Sequence, residues 1–141
     1  MIKRRNGLLI AVFSLILSSC YKQEDAKILL VKAEKNAVLH PDSALYYLGS
    51  IISPNELDEE LYAQYALLST SVYNRINFSL AKDTLIPYAI AYYTKTGDQL
   101  NLSRAYLQAG SVEEDKQNYV LARQHYLEAL NLAKQCSSTK L

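Results

Sequence analysis

A chain of 141 residues, half of them hydrophobic, is the length of one domain, large enough to bury a core without staples. Its formal charge is +1, which lacks the basic excess that a nucleic-acid partner would draw on, and none is expected.

The first segment in chain order reads as an export leader. Lys3, Arg4 and Arg5 precede an apolar run from Leu8 to Leu17 that only Ser14 interrupts. The run is too short for a spanning helix, which needs about 20 apolar residues, and it suits a signal h-region. No later apolar run approaches membrane length. The run ends in Leu17-Ser18-Ser19-Cys20, a tetrapeptide that resembles the lipobox of bacterial lipoproteins. The resemblance implies that residues 1–19 are a signal peptide cleaved before Cys20, and that Cys20 carries the lipid. An ordinary secretory signal and a short anchor helix are the alternatives to a lipoprotein signal. Loss of Lys3, Arg4 and Arg5 would take the formal charge from +1 to −2. Cys136 would then be a lone thiol, so no disulfide is expected. Residues 20–25 read as the lipidated cysteine and a short tether. A lipid with more than one chain, as in that class, anchors stably. Tyr21 rather than Asp follows Cys20, and Glu24-Asp25 is similar to the surface-export signal of Bacteroidetes lipoproteins. Both features tilt the expected location in the cell envelope toward the outer membrane.

From about Glu24 the pattern is helical throughout. Ala26, Leu29, Leu30, Ala33 and Ala37 share a face at three-and-four spacing, which predicts a first helix over Glu24–Val38. His40-Pro41-Asp42 breaks the chain, and a second helix follows over Asp42–Ile52. Ser53-Pro54-Asn55-Glu56 has the Ser-x-x-Glu spacing of a capping box and predicts the start of a third helix running to about Arg75. Its buried stripe would be Leu61, Tyr65, Leu68 and Val72. Asn77–Asp83 reads as a loop, and a fourth helix begins around Thr84–Pro87 and stops at Gly97. At the Gly97-Asp98 junction, glycine can take the left-handed cap and Asp98 can cap the next helix. The fifth helix is Gln99–Glu114 and the sixth Asn118–Gln135, with a frayed polar tail over 136–141. The expectation is an all-α domain over 26–135.

Six helices in consecutive pairs raise the question of a repeat. Tyr106, Ala109 and Gly110, followed by Tyr119, Ala122, Tyr126 and Ala129, have spacing that resembles the tetratricopeptide repeat. The last four residues fall on one helical face, where small residues let two helix backbones approach and rings fill the groove between them. Glu113, Gln117 and Lys134 depart from that repeat's usual aromatic, turn glycine and terminal proline. The middle pair is more degenerate, with a longer loop. Pro41-Asp42-Ser43-Ala44-Leu45 is similar to a stretch that opens the second helix of tetratricopeptide lipoproteins of Bacteroidetes. The resemblance implies a short right-handed solenoid of about six helices in antiparallel hairpins. It also implies a concave peptide groove lined by Thr70, Tyr73 and Asn74 on the third helix and by Arg104, Leu107, Gln108 and Ser111 on the fifth.

Little in the chain points to catalysis. His40, His125, Glu128 and Cys136 do not make up the convergent ligands of a zinc site, so no metal and no cofactor is expected. Glu113, Glu114 and Asp115 are consecutive, splay around their helix and should face water. There is no glycine-rich phosphate loop and no nucleophile elbow. Twelve tyrosines, with Tyr46-Tyr47 and Tyr92-Tyr93 as adjacent pairs, leave some rings for a surface after the seams are filled. The expected role is a membrane-anchored, non-catalytic scaffold for a protein or peptide partner. Two alternatives are the docking or sensory N-terminal part of a longer protein, and an accessory of carbohydrate capture.

Overall fold

A computed structural model describes residues 22–138; residues 1–21, which hold the expected signal peptide and Cys20, and the last three residues lie outside them. The described residues form six α-helices and a short 3-10 turn, with no strand. Helix α1 covers 22–36, α2 Pro41–Gly49, the 3-10 turn Pro54–Glu56, α3 Glu59–Arg75, α4 Ile86–Thr96, α5 Gln99–Asp115 and α6 Tyr119–Ser138.

Each helix packs on the next, and α3 also touches α5. The reason lies in α3, which is apolar on two sides. Leu61, Leu68 and Val72 join Ala26, Leu30 and Ala33 of α1 and Ala44 and Leu48 of α2 in one core cluster. Ala63, Ala66 and Leu67 join Ile86, Ala89 and Tyr93 of α4 and Ala105, Ala109 and Val112 of α5 in a second. A helix apolar on both sides belongs in the interior, so the single stripe expected for α3 is only half of its buried surface.

Helix ends follow local chemistry. Gly97 takes the left-handed conformation at φ 74°, and Asp98 accepts from the Asn101 N–H at 3.0 Å, as the Gly97-Asp98 pair predicts. The expected capping box at Ser53 does not form. Ser53 is itself left-handed at φ 53°, Pro54 opens only the 3-10 turn, and α3 starts at Glu59 with Asp58 as its cap, accepting from Leu61 N–H at 2.8 Å. Two other boundaries also move. The tether expected up to residue 25 is already helical from residue 22, and the tail is helical through Ser138.

The loop between α3 and α4 is packed. Leu80 is buried in the second core cluster, and its N–H donates to Asp115 Oδ2 at 2.6 Å. Glu114 and Asp115 are exposed, as expected of this acidic run, and its carboxylates also bond to their neighbours. Glu113 accepts from Lys116 Nζ at 2.9 Å and Asn118 Nδ2 at 3.2 Å, and Glu114 accepts from the Tyr126 hydroxyl at 2.7 Å. The Lys116 ammonium holds the Glu113 carboxyl below its ordinary range.

Helices α5 and α6 meet through small residues. Ala122 and Ala129 are buried, Ser103 Oγ donates to the Ala129 carbonyl at 2.8 Å, and the Tyr126 ring lies against Gly110. Tyr119 lies on the same side of α6 as Ala122 and Tyr126 but stays 64% exposed. The turn between the two helices places Gln117 at φ 62°, where the tetratricopeptide pattern has glycine. The left-handed region costs a residue with a Cβ roughly 1–2 kcal/mol, and glycine's extra chain entropy returns part of that. Gln117→Gly is therefore expected to stabilise the fold by about 0.5–1 kcal/mol in chemical denaturation at unchanged m-value.

Candidate functional site

A groove of about 310 Å³ opens between α1, α3 and α5. Its apolar surface comes from Leu30 and Val31 on α1, Leu67 and Leu68 on α3, and Leu100 on α5, while Gln64, Asn101, Glu34 and Arg104 bring polar groups. Helical spacing explains the set, since 30/31/34, 64/67/68 and 100/101/104 each fall on one face at three-and-four intervals.

Arg104 Nη1 donates to Glu34 Oε1 at 3.1 Å and to Asn101 Oδ1 at 3.0 Å, which joins α5 to α1 across α3. Both partners are substantially exposed, at 43% and 60% of their side chains, so the pair contributes at most about 1 kcal/mol to stability. Its effect is on position. It holds a guanidinium and a carboxylate beside an apolar floor. Both hydrogen bonds leave from Nη1, and the Nη2 and Nε donors make none among the described residues.

Tyr93 reaches this groove from α4 and is almost fully buried. Burial is the main cause that pushes its hydroxyl up to about 12, with Asp98 adding to the shift and Arg104 opposing it. The folded value lies above the free value of 10.0, so the fold favours the neutral phenol. That stabilisation is complete below pH 10 and is lost as pH rises toward about 12. Spectrophotometric titration of the tyrosines should show a late phenolate transition that Tyr93→Phe removes. If the titration curve of Tyr93→Phe matched that of the parent protein, this account of Tyr93 would be wrong.

Of the residues expected in a groove, Arg104 lies in this one. Thr70 does not line any open surface. It is fully buried, and its hydroxyl donates to Asp83 Oδ2 at 2.7 Å, with the Ala66 carbonyl at 3.1 Å. Tyr73 is half-buried, and its ring lies against Phe78 with centroids 5.2 Å apart. Asn74 Nδ2 donates to Gln108 Oε1 at 3.1 Å and to Ser111 Oγ at 3.0 Å, so these three side chains tie α3 directly to α5. Ser111 Oγ also lies 3.4 Å from the Tyr126 hydroxyl. Leu107 is 49% exposed beyond the Arg104 end of the groove. The open groove is lined by residues 64–68 of α3 and 100–104 of α5, while Asn74, Gln108 and Ser111 bond to one another further along the two helices. Apart from Arg104, none of the residues that line this groove is among those the sequence places in one.

No group of three or more His, Cys, Asp or Glu stands together as a metal site among the described residues. His125 packs against the Tyr106 ring at 5.7 Å between centroids, and Cys136 is a half-buried free thiol. No helix among the described residues is long and apolar enough to cross a membrane. The chain matches no family model, no curated protein and no solved structure.

Proposed function

We propose that this protein is a lipoprotein of the bacterial cell envelope, anchored by lipid on Cys20, that works as a non-catalytic scaffold and holds a peptide in the groove between α1, α3 and α5. The reading of the helices as a short tetratricopeptide-like solenoid belongs to the same proposal. Its support is the order of packing, in which each helix meets the next and the first helices of neighbouring pairs, α3 and α5, also touch. The observation that carries the functional reading is the groove itself. An apolar floor beside Arg104 and Glu34 suits an extended segment with an apolar side chain next to a carboxylate. Arg104 can take that carboxylate through its Nη2 and Nε edge, where a bidentate contact adds direction as well as energy.

Selection from a random peptide library on the immobilised protein tests this reading. Recovered peptides should carry an apolar residue beside Asp, Glu or the chain terminus, and Arg104→Ala should weaken them by at least about tenfold, since it removes a charge-assisted contact. An absence of enriched sequences, or binding that survives both Arg104→Ala and Leu67→Arg, would overturn it.

A second reading has one observation in its favour. The outer face of α6 leaves Tyr119, Val120, Leu127 and Leu130 exposed, and a further helix would cover such a face in a longer array. Intact mass of the native polypeptide from the envelope separates a longer protein from this chain alone.

A further inference from the structure

The start of α1 is fastened to the body of the domain. Lys22 Nζ lies 3.2 Å from Glu56 Oε2, Gln23 Nε2 donates to the Glu56 carbonyl at 3.0 Å, and Asp58 N–H donates to Gln23 Oε1 at 3.3 Å. Beside this junction is a shallow groove of about 340 Å³, in which Ile28, Leu29 and Ile52 form the apolar part and Lys22, Asp25 and Lys32 the rim. Ile52 is 82% exposed, on the turn just before the left-handed Ser53 and Pro54. In a water-facing turn nothing in this packing calls for an isoleucine.

Only two residue steps separate Cys20 from Lys22, the first described residue of α1. Two extended residues span at most about 7 Å, and a bilayer's headgroup layer is itself about 5–7 Å thick on each side. A lipid on Cys20 would therefore bring the first turn of α1 to the headgroups with no slack, and Ile52, which lines one groove with Lys22, Asp25 and Ile28, would come with it.

We infer that the Ile28–Ile52 patch docks on the phospholipid bilayer and holds the domain in one orientation. This inference rests on the lipid-anchor reading of Cys20. The aliphatic side chains enter the headgroup boundary, as apolar residues of interfacial segments do. Lys32 carries its ammonium group to the phosphates along a flexible stem, while Lys22 stays on Glu56. With Asp25 on the rim the patch has little net charge, so apolar insertion leads and Lys32 aligns it. At 100° per residue, Glu34 lies roughly opposite Asp25, Leu29 and Lys32 around α1. The Arg104–Glu34 groove thus opens on the flank turned from the membrane, where a partner could reach it.

The chain has no tryptophan, so one introduced tryptophan reports its own surroundings. The mature full-length protein, purified from bacterial envelopes as Ile52→Trp, is returned to phosphatidylethanolamine–phosphatidylglycerol vesicles with and without brominated chains. Val120→Trp on the outer face of α6 is the reference. Ile52→Trp should shift its emission to the blue and lose intensity to the brominated lipid, while Val120→Trp does neither, and adding Lys32→Glu should weaken the effect at position 52. Intact mass of the same samples reports acylation. An acylated protein whose position-52 emission matches that of position 120 overturns the docking and leaves the anchor standing. A protein without acyl mass overturns the anchor, and its position-52 emission then decides the patch by itself.

Discussion

Gly110→Ala is expected to destabilise the protein by about 1–3 kcal/mol, the usual cost of overpacking a well-filled seam. A Cβ built at Gly110 runs into Cε1 and Cδ1 of the Tyr126 ring. That ring cannot move away freely, because its hydroxyl donates to Glu114 at 2.7 Å and the residue sits on the α6 face that packs on α5. The sign is the informative part. In an open helix, glycine to alanine gains up to about 1 kcal/mol, and Gly49 at the end of α2 has nothing within 4 Å of an added Cβ. Gly49→Ala should therefore stabilise while Gly110→Ala destabilises, under the same chemical denaturation. A double-mutant cycle locates the cause: Gly110→Ala should cost much less in a Tyr126→Ala background, where the methyl group has room. If the cost were the same in both backgrounds, the two helices would not meet through this pair.

Much of this was legible in the sequence, and the misses have physical reasons. Periodicity finds the six helices because each buries a face at three-and-four spacing, although α3 starts only at Glu59, after the expected Ser53–Glu56. The Gly110, Ala122, Tyr126 and Ala129 seam is equally readable, since close approach of two helices demands small residues opposite a ring. Capping is harder to read when acceptors compete. Ser53 has the right spacing to Glu56, but Asp58 stands three residues before Leu61 and takes the helix start. The site was the least legible. Arg104 could be singled out as a polar residue on a groove-facing helix. Its partner Glu34 is 70 residues away on α1 and is brought near only when α3 is buried between them. A usable signal was present in α3, where Ala63, Ala66 and Leu67 mark a second apolar stripe beside Leu61, Leu68 and Val72. Two stripes imply a central helix, and a central helix implies that its neighbours α1 and α5 can meet over it.

The largest single loss outside the cores is expected at Asp83. Helix α4 begins at Ile86, and Leu85, the residue before it, has no side-chain acceptor for the first amides. Asp83 supplies one from the loop: its Oδ1 accepts from the N–H groups of Leu85 and Ile86, both at 3.0 Å. Its other oxygen takes the hydroxyl of the fully buried Thr70 at 2.7 Å, so one carboxylate fastens the start of α4 to the middle of α3. Asp83→Ala removes a helix cap, typically about 1 kcal/mol, and a charge-assisted bond to a buried hydroxyl, about 1.5–3 kcal/mol. Thr70 can turn its proton to the Ala66 carbonyl at 3.1 Å, which softens the second loss. The expected total is about 2–3 kcal/mol in chemical denaturation. Asp83→Asn keeps an acceptor for both amides and should cost less than half as much. Amide exchange gives a local check, because Leu85 and Ile86 should lose protection in Asp83→Ala while amides within α6 change only as far as global stability falls. The consequence reaches the groove, since α4 carries Tyr93 into it. In Asp83→Ala the late phenolate transition of Tyr93 should move down toward the other tyrosines, as its burial loosens. An Asp83→Ala protein as stable as the parent, with that transition unmoved, would show that α4 is held by its apolar face alone.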